Sequence, residues 1–158
     1  MATKVIAVIG PANCDGSTAA QARAVGREIA RRGALLVCGG RGGVMAAACQ
    51  GAKEAGGMTI GILPGTDRRE ANPFVDVPIV TGLGEARNAI VVRTADAVIA
   101  VRGGYGTLSE IGLALKMGRP VVGLGTWALA SGGEGVDPVV RASTPQQAVD
   151  LAFAGAAG

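Results

Sequence analysis

The chain has 158 residues, a length typical of one domain, and it contains 27 glycines but only 3% aromatic side chains. A hydrophobic content of 49% excludes an intrinsically disordered chain, and no apolar run reaches the roughly 18 residues of a membrane-spanning helix. The net charge of +3 is scattered and not interleaved with aromatic residues. We therefore expect neither nucleic acid nor a membrane as a partner.

The sequence contains no histidine and three cysteines, Cys14, Cys38 and Cys49. Proton transfer by histidine and histidine-containing metal sites are therefore excluded, and we expect no metal site. The odd number of cysteines, without Cys-x-x-Cys spacing, indicates reduced thiols. The first apolar run is too short for a signal peptide, so we expect a cytoplasmic protein.

Short β-branched runs alternate with longer alanine-rich stretches along the chain. The short runs predict strands at 5–9, 34–38, 58–63, 79–80, 97–101 and 121–124, and a shorter one at 139–140. The longer stretches predict helices at 17–32, 44–55, 83–93 and 106–117, and a last helix that Thr144 caps and Pro145 begins. Continuously apolar strands between helices indicate a parallel sheet covered on both faces. We predict an α/β fold, a Rossmann-like doubly wound parallel sheet in three α/β/α layers, with 1–158 as a single nucleotide- or phosphate-binding domain.

Three glycine-rich turns follow predicted strands, where open α/β sheets bind their ligands. The first runs from Gly10 to Ser17 and Thr18, whose hydroxyls lie at a helix N-terminus that favours an anion; simple N-capping is the alternative. It lacks the Gly-Lys-Ser/Thr of a P-loop. The second, Gly39-Gly-Arg-Gly-Gly43, follows Cys38, where a nicotinamide dinucleotide site would need an acidic residue. A dehydrogenase is therefore disfavoured.

The third turn, Arg102-Gly-Gly-Tyr-Gly-Thr107, leads into a predicted helix that carries Glu110. Paired glycines let the backbone approach a phosphate, and Thr107 adds a hydroxyl beside the helix amides. A carboxylate there is not needed for phosphate binding, which suggests a chemical role for Glu110. The alternative is a capping box, with Thr107 as N-cap and Glu110 three residues later.

The run Gly103-Gly-Tyr-Gly-Thr-Leu-Ser-Glu110 resembles the Pro-Gly-Gly-x-Gly-Thr-x-x-Glu motif of the LOG (LONELY GUY) proteins, once mislabelled lysine decarboxylases, and of the related molybdenum cofactor carrier proteins. Further similar segments are Gly39-Gly-Arg-Gly-Gly-Val-Met45, Ile60-Gly-Ile-Leu-Pro64, and Glu85-Ala-Arg-Asn88 leading to Ala95-Asp-Ala97. The resemblance covers nearly the whole chain.

For the LOG branch, the resemblance implies hydrolysis of a nucleoside 5'-monophosphate to base and ribose 5-phosphate, with Arg87 and Glu110 as catalytic residues. Near the ribose, a carboxylate can orient water or stabilise the oxocarbenium-like state. A structural role for Arg87, in a surface ion pair with Glu85 or Asp96, is the alternative. The candidate residues for binding ligand and phosphate are Gly10, Ser17, Thr18, Gly39, Gly40, Arg41, Gly42, Gly43, Met45, Arg87, Asn88, Gly103, Gly104, Tyr105, Gly106 and Thr107.

The sequence departs from the family pattern at three points, and one of them, Asn88, together with the short length of the chain, favours the carrier branch. Arg102 replaces the motif's proline, Asn88 replaces a lysine after Arg87, and the glycine turn at Arg41 is a residue shorter. The alternative to a hydrolase is therefore a non-enzymatic carrier of molybdenum cofactor, a pterin that bears a phosphate. A nucleotide-sensing regulatory protein is a third hypothesis. No required cofactor is expected; the candidate ligands are a nucleoside monophosphate or molybdenum cofactor.

Further expectations concern activity, assembly and the periphery of the site. None of the three lysines follows a strand end, so a pyridoxal-dependent lysine decarboxylase is disfavoured. The resemblance implies a homo-oligomer, a dimer or tetramer. The polar segment 67–72 is a solvated loop or a lid, and Trp127 either stacks on a base or pterin or fills the core.

Overall fold

A computed structural model describes residues 2–157, and its centre is a seven-stranded parallel sheet. The strands are β1 (Val5–Ile9), β2 (Leu35–Cys38), β3 (Thr59–Leu63), β4 (Val77–Val80), β5 (Ala97–Val101), β6 (Val121–Leu124) and β7 (Val140–Arg141). The helices are α1 (Gly16–Arg31), α2 (Val44–Glu54), α3 (Arg87–Thr94), α4 (Tyr105–Lys116) and α5 (Pro145–Ala156), with 3-10 helices at Arg68–Glu70 and Gly84–Ala86.

The strand order β4-β3-β2-β1-β5-β6-β7 makes this a doubly wound sheet, which confirms the predicted fold class. Strand β1 pairs with β2 on one side and with β5 on the other. The chain therefore winds outward in both directions from the β1–β5 pair. Open α/β sheets bind their ligands in the crevice at this switch point, next to the carboxyl ends of the strands.

Two apolar layers cover the sheet, and alternate residues of β1 divide between them. Ile6 and Val8 belong to the cluster with α1, α2 and α5, whereas Ala7 and Ile9 belong to the cluster with α3 and α4. Successive strand side chains point to opposite faces, so a strand buried on both sides must be apolar throughout. This gives the predicted three α/β/α layers.

Glycine lets helices α1 and α2 pack backbone against backbone. A Cβ on Gly26 would lie 1.8 Å from the carbonyl oxygen of Ala48, and a Cβ on Gly51 would lie 1.8 Å from that of Arg23. Neither position can accept a larger residue without moving the helices apart. Close backbone contact thus replaces bulky side chains in this aromatic-poor core.

Helix starts differ from the predictions where a residue outside the apolar pattern caps the helix. Asp15 caps α1 through the Thr18 amide at 2.7 Å, so N-capping by Ser17 or Thr18 is wrong. Thr144 caps α5 as predicted, accepting a hydrogen bond from the Gln147 amide at 3.1 Å. The predicted helix 83–93 begins as a 3-10 turn and becomes α3 only at Arg87.

Across residues 2–157, no helix is both long and apolar enough to span a membrane.

Candidate functional site

A cavity of about 360 Å³ lies at the switch point, beside the ends of β1 and β5. Three segments build most of its wall: the turn after β1, the start of α3, and the first two turns of α4. The lining residues are Gly10, Pro11, Ala12, Met45, Pro64, Glu85, Arg87, Asn88, Gly104, Gly106, Thr107 and Glu110. Its volume falls within the roughly 300 to 1,000 Å³ typical of small-molecule sites.

The turn between β5 and α4 has an unusual backbone. Arg102 adopts φ 56° and Gly103 adopts φ 136°, and a Cβ on Gly103 would lie 2.5 Å from the Thr107 Cβ. A glycine is therefore required at position 103 for both conformational and steric reasons. Proline, whose ring fixes φ near about −65°, cannot adopt the Arg102 conformation.

Helix α4 begins at this turn without a side-chain cap. Gly104 is the N-cap residue, and it provides no side chain to accept a hydrogen bond from the first amides of the helix. The first amides of a helix have no intrahelical acceptor, so they and the helix dipole favour an anion. The Thr107 side chain, only 3% exposed, lines the cavity beside these amides.

The capping box predicted as the alternative role for Thr107 and Glu110 is wrong. The helix begins two residues before Thr107, which makes Thr107 its third residue and Glu110 its sixth. A capping box needs the threonine just outside the helix. Glu110 instead lies one turn in, with its side chain at the cavity wall.

Glu110 is a buried carboxyl group, 7% exposed, and forms no ion pair with any residue in the range 2–157. Burial raises its pKa to about 7, although the nearby Arg87 charge opposes the change. Such a group exchanges a proton near neutral pH, as a general acid or base must. A perturbed carboxyl in a cleft is typical of functional sites.

Arg87, the first residue of α3, places a cation on the same cavity. Its Nη2 donates to the Gly39 carbonyl at 3.5 Å, and its Nη1 donates to Oδ1 of Asn88. Burial lowers the pKa of the guanidinium, and the Glu110 carboxylate opposes that change. Its Nε is buried without a hydrogen-bond partner among the described residues. The predicted surface ion pair of Arg87 with Glu85 or Asp96 does not form within residues 2–157.

The glycine turn after β2 supports the cavity from behind. A Cβ on Gly39 would lie 2.7 Å from Nη2 of Arg87, and a Cβ on Gly43 would lie 2.3 Å from the Pro11 carbonyl. Arg41 forms an ion pair with Glu70 at 3.2 Å and does not line the cavity. This turn therefore positions Arg87 and the glycine turn that follows β1. Its own arginine, Arg41, pairs with Glu70 outside the cavity.

The structure brings together eight of the seventeen predicted site residues. Those that line the cavity are Gly10, Met45, Arg87, Asn88, Gly104, Gly106, Thr107 and Glu110. Those outside its lining are Ser17, Thr18, Gly39, Gly40, Arg41, Gly42, Gly43, Gly103 and Tyr105. Four lining residues were not predicted, Pro11, Ala12, Pro64 and Glu85. Pro64 directly follows β3, and Pro11 and Ala12 follow β1 after Gly10, so the strand-end rule applied to every residue of these turns would have found them.

Peripheral elements fix the surroundings of the cavity. In the polar loop, the Asn72 side chain donates to the Arg41 carbonyl at 2.9 Å, which ties the loop to the second glycine turn. Trp127 Nε1 donates to the Gly104 carbonyl at 3.0 Å, and its ring stacks on that of Tyr105. Within residues 2–157, no cluster of three or more metal-ligating side chains occurs.

Several known proteins are similar to this chain in sequence or in structure. The structure of the molybdenum cofactor binding protein from the phototrophic bacterium Rippkaea orientalis is 41% identical, with a TM-score of 0.88 over 98% of both chains. The molybdenum cofactor carrier protein from Chlamydomonas reinhardtii is 40% identical, with a TM-score of 0.87 over 99% of this chain and 100% of that one.

Among enzymes, the cytokinin riboside 5'-monophosphate phosphoribohydrolase LOG of Oryza sativa subsp. japonica is 40% identical over 91 residues. That alignment covers 55% of this chain but 37% of the rice protein. The profile of the SLOG cluster4 family matches residues 3–149, nearly the whole sequence. The resemblance to LOG and molybdenum cofactor carrier proteins is thereby confirmed, and the chain belongs to the SLOG cluster4 family.

Proposed function

We propose that the cavity binds a phosphorylated, nucleotide-like molecule whose phosphate lies against residues 103–107. The observation that carries this proposal is the uncapped start of α4, which faces a cavity that also contains Thr107 and the Arg87 guanidinium. Backbone amides, a hydroxyl and a cation together match the acceptor oxygens and charge of a phosphate. The paired glycines keep side chains away from that end of the cavity.

Molybdenum cofactor, a phosphorylated pterin, is the ligand that we favour, carried as cargo. The two carrier-type structures match over nearly the full length of both chains, whereas the rice enzyme matches over little more than half of this one. A relative that matches over its full length supports the inference of a shared ligand more strongly than a relative that matches only in part. In this function, residues 104–107 and Arg87 hold the phosphate, and Glu110 takes part in binding.

Glu110 favours a second function, hydrolysis of a nucleoside 5'-monophosphate. In that reaction the bond between ribose C1' and the base nitrogen breaks, the oxygen of water joins C1', and a proton passes to the base. The ionised Glu110 carboxylate stabilises the positive charge that develops on the sugar, or accepts a proton from the attacking water. Arg87 holds the phosphate end and limits the rise in the pKa of Glu110.

One experiment separates these two functions. The purified protein is incubated with a panel of nucleoside 5'-monophosphates, and free base is measured by chromatography, while binding of a phosphorylated pterin is measured by calorimetry. The carrier function predicts pterin binding without base release. The hydrolase function predicts base release that falls by about 10² or more in Glu110→Gln, as loss of an acid–base group gives. If neither base release nor binding occurs, both proposals fail.

A further inference from the structure

We infer that a second cavity, next to the first, holds the aromatic ring of the ligand and selects rings with a 2-amino-oxo edge, as in pterins (2-amino-4-oxo) and guanine (2-amino-6-oxo). This inference rests on the proposed function. The second cavity has a volume of about 460 Å³ and lies between the starts of α3 and α4. It shares Glu85, Asn88 and Gly106 with the first cavity, so one molecule can occupy both.

Tyr105 provides an aromatic wall for this second cavity. It is the first residue of α4 and part of the proposed phosphate turn, and the residue is 82% exposed. The remaining wall includes the apolar side chains of Ala86, Ala89 and Leu113. An exposed ring between apolar contacts and a phosphate site is suited to stacking on a flat heterocycle.

The Trp127 ring packs against the Tyr105 ring and restricts its position. The two rings stack with centroids 5.9 Å apart and planes inclined by 29°. Trp127 is itself fixed at both ends, because its Nε1 donates to the Gly104 carbonyl and its own carbonyl accepts from Arg141. Tyr105 lines the second cavity and Trp127 does not. The tyrosine ring is therefore pre-organised, which lowers the entropy lost when a ligand stacks on it.

Glu85 and Asn88 supply complementary polar groups at the edge of the same cavity. The Glu85 carboxylate takes part in no ion pair within residues 2–157. Oδ1 of Asn88 already accepts from Arg87, which leaves its amide NH2 to donate. A carboxylate accepts hydrogen bonds from two adjacent N–H groups. The 2-amino-oxo edge of a pterin or guanine presents such a pair, with an oxo acceptor beside it, whereas adenine presents an acceptor nitrogen next to its amino group.

Three ligands test this inference by separating phosphate binding from ring binding. Ribose 5-phosphate lacks the ring, GMP carries the 2-amino-oxo edge, and AMP does not. Binding is measured by calorimetry and by the fluorescence of Trp127, the one tryptophan in the sequence. We expect GMP to bind more tightly than AMP and ribose 5-phosphate, and to change the fluorescence, while ribose 5-phosphate leaves it nearly unchanged.

Variants assign the two contributions to residues. Tyr105→Leu should weaken GMP binding by about fivefold to 150-fold, the range typical of base–aromatic stacking, and should affect ribose 5-phosphate binding far less, because the backbone amide of residue 105 remains. Tyr105→Phe, which keeps the ring, is the matched control and should bind GMP like the wild type. Glu85→Gln should reduce the preference for GMP over AMP by about tenfold.

Different results separate failure of this inference from failure of the proposed function. If GMP and ribose 5-phosphate bind equally well, or Tyr105→Leu weakens both alike, the ring does not occupy the second cavity and the inference is wrong. If ring binding depends on Tyr105 but Glu85→Gln leaves the preference for GMP unchanged, the edge selection is wrong. If neither ligand binds, the proposed function fails and this inference fails with it.

Discussion

Replacement of Glu110 by glutamine should stabilise the folded protein at high pH. The cavity buries this carboxyl and raises its pKa from an ordinary 4.5 to about 7. One pKa unit corresponds to about 1.4 kcal/mol, so keeping the ionised carboxylate buried costs about 3 kcal/mol of folding free energy. Glutamine has nearly the same shape and carries no charge, so it removes this cost.

The sign of the pH dependence follows from proton binding. Below about pH 4.5 the carboxyl is protonated in both the folded and the unfolded state, and it contributes no pH-dependent difference in stability. Between pH 4.5 and about 7 the folded state binds the proton more strongly, so the free energy of unfolding decreases as pH rises. Above pH 7 both states are ionised and the full cost applies.

Urea unfolding of the wild type and Glu110→Gln, followed by circular dichroism from pH 4 to pH 8, measures this effect. The stability of the variant relative to the wild type should increase by about 3 kcal/mol over that range. Glu134→Gln, at an exposed loop residue, is the control and should show little such increase. A constant loss of stability in Glu110→Gln at every pH would refute the reasoning, because it would make Glu110 a structural residue.

Other predictions concern the phosphate turn, helix packing and assembly. Thr107→Val should weaken ribose 5-phosphate binding about tenfold or more, measured by calorimetry, because it removes a donor to a charged group; unchanged affinity would contradict the proposed phosphate position. Gly26→Ala should lower the free energy of unfolding, measured in urea, by about 1 to 3 kcal/mol or more, because its Cβ would meet the Ala48 carbonyl. Gly112→Ala, whose Cβ would meet nothing within 4 Å, should instead be neutral or stabilising by up to about 1 kcal/mol. We also propose a homo-oligomer; light scattering should give at least a dimer, and a monomer at all concentrations would contradict this.

Local sequence patterns predict much of this fold because a buried strand is a short run of apolar residues, and most helix caps are residues next to the helix in sequence. The bounds of β1, β5 and β6 agree with the prediction, since each is a continuous apolar run bounded by glycine, polar or proline residues. The predicted start of α4 at Gly106 is one residue late, and the alternative capping box at Thr107 and Glu110 is wrong, because Gly104 caps the helix. Glycine offers no side-chain signal for that role.

Contacts between distant residues explain why some predicted site residues lie outside the cavity lining. Arg41 has the residue type and the turn expected of a phosphate clamp, but Glu70, 29 residues further along, forms an ion pair with it. Gly39 has the type expected of a phosphate turn, but the Arg87 guanidinium lies against it. Neither contact follows from a local pattern, because the loop between Pro64 and Val77 and the start of α3 are positioned by the sheet.

The most direct test of the central claim is a crystal structure of the protein with ribose 5-phosphate. We expect the phosphate within hydrogen-bond distance of the amides of residues 104–107 and of the Thr107 hydroxyl, with the ribose toward Glu110. A phosphate bound elsewhere on the protein, with this turn free of ligand, would contradict the proposed site.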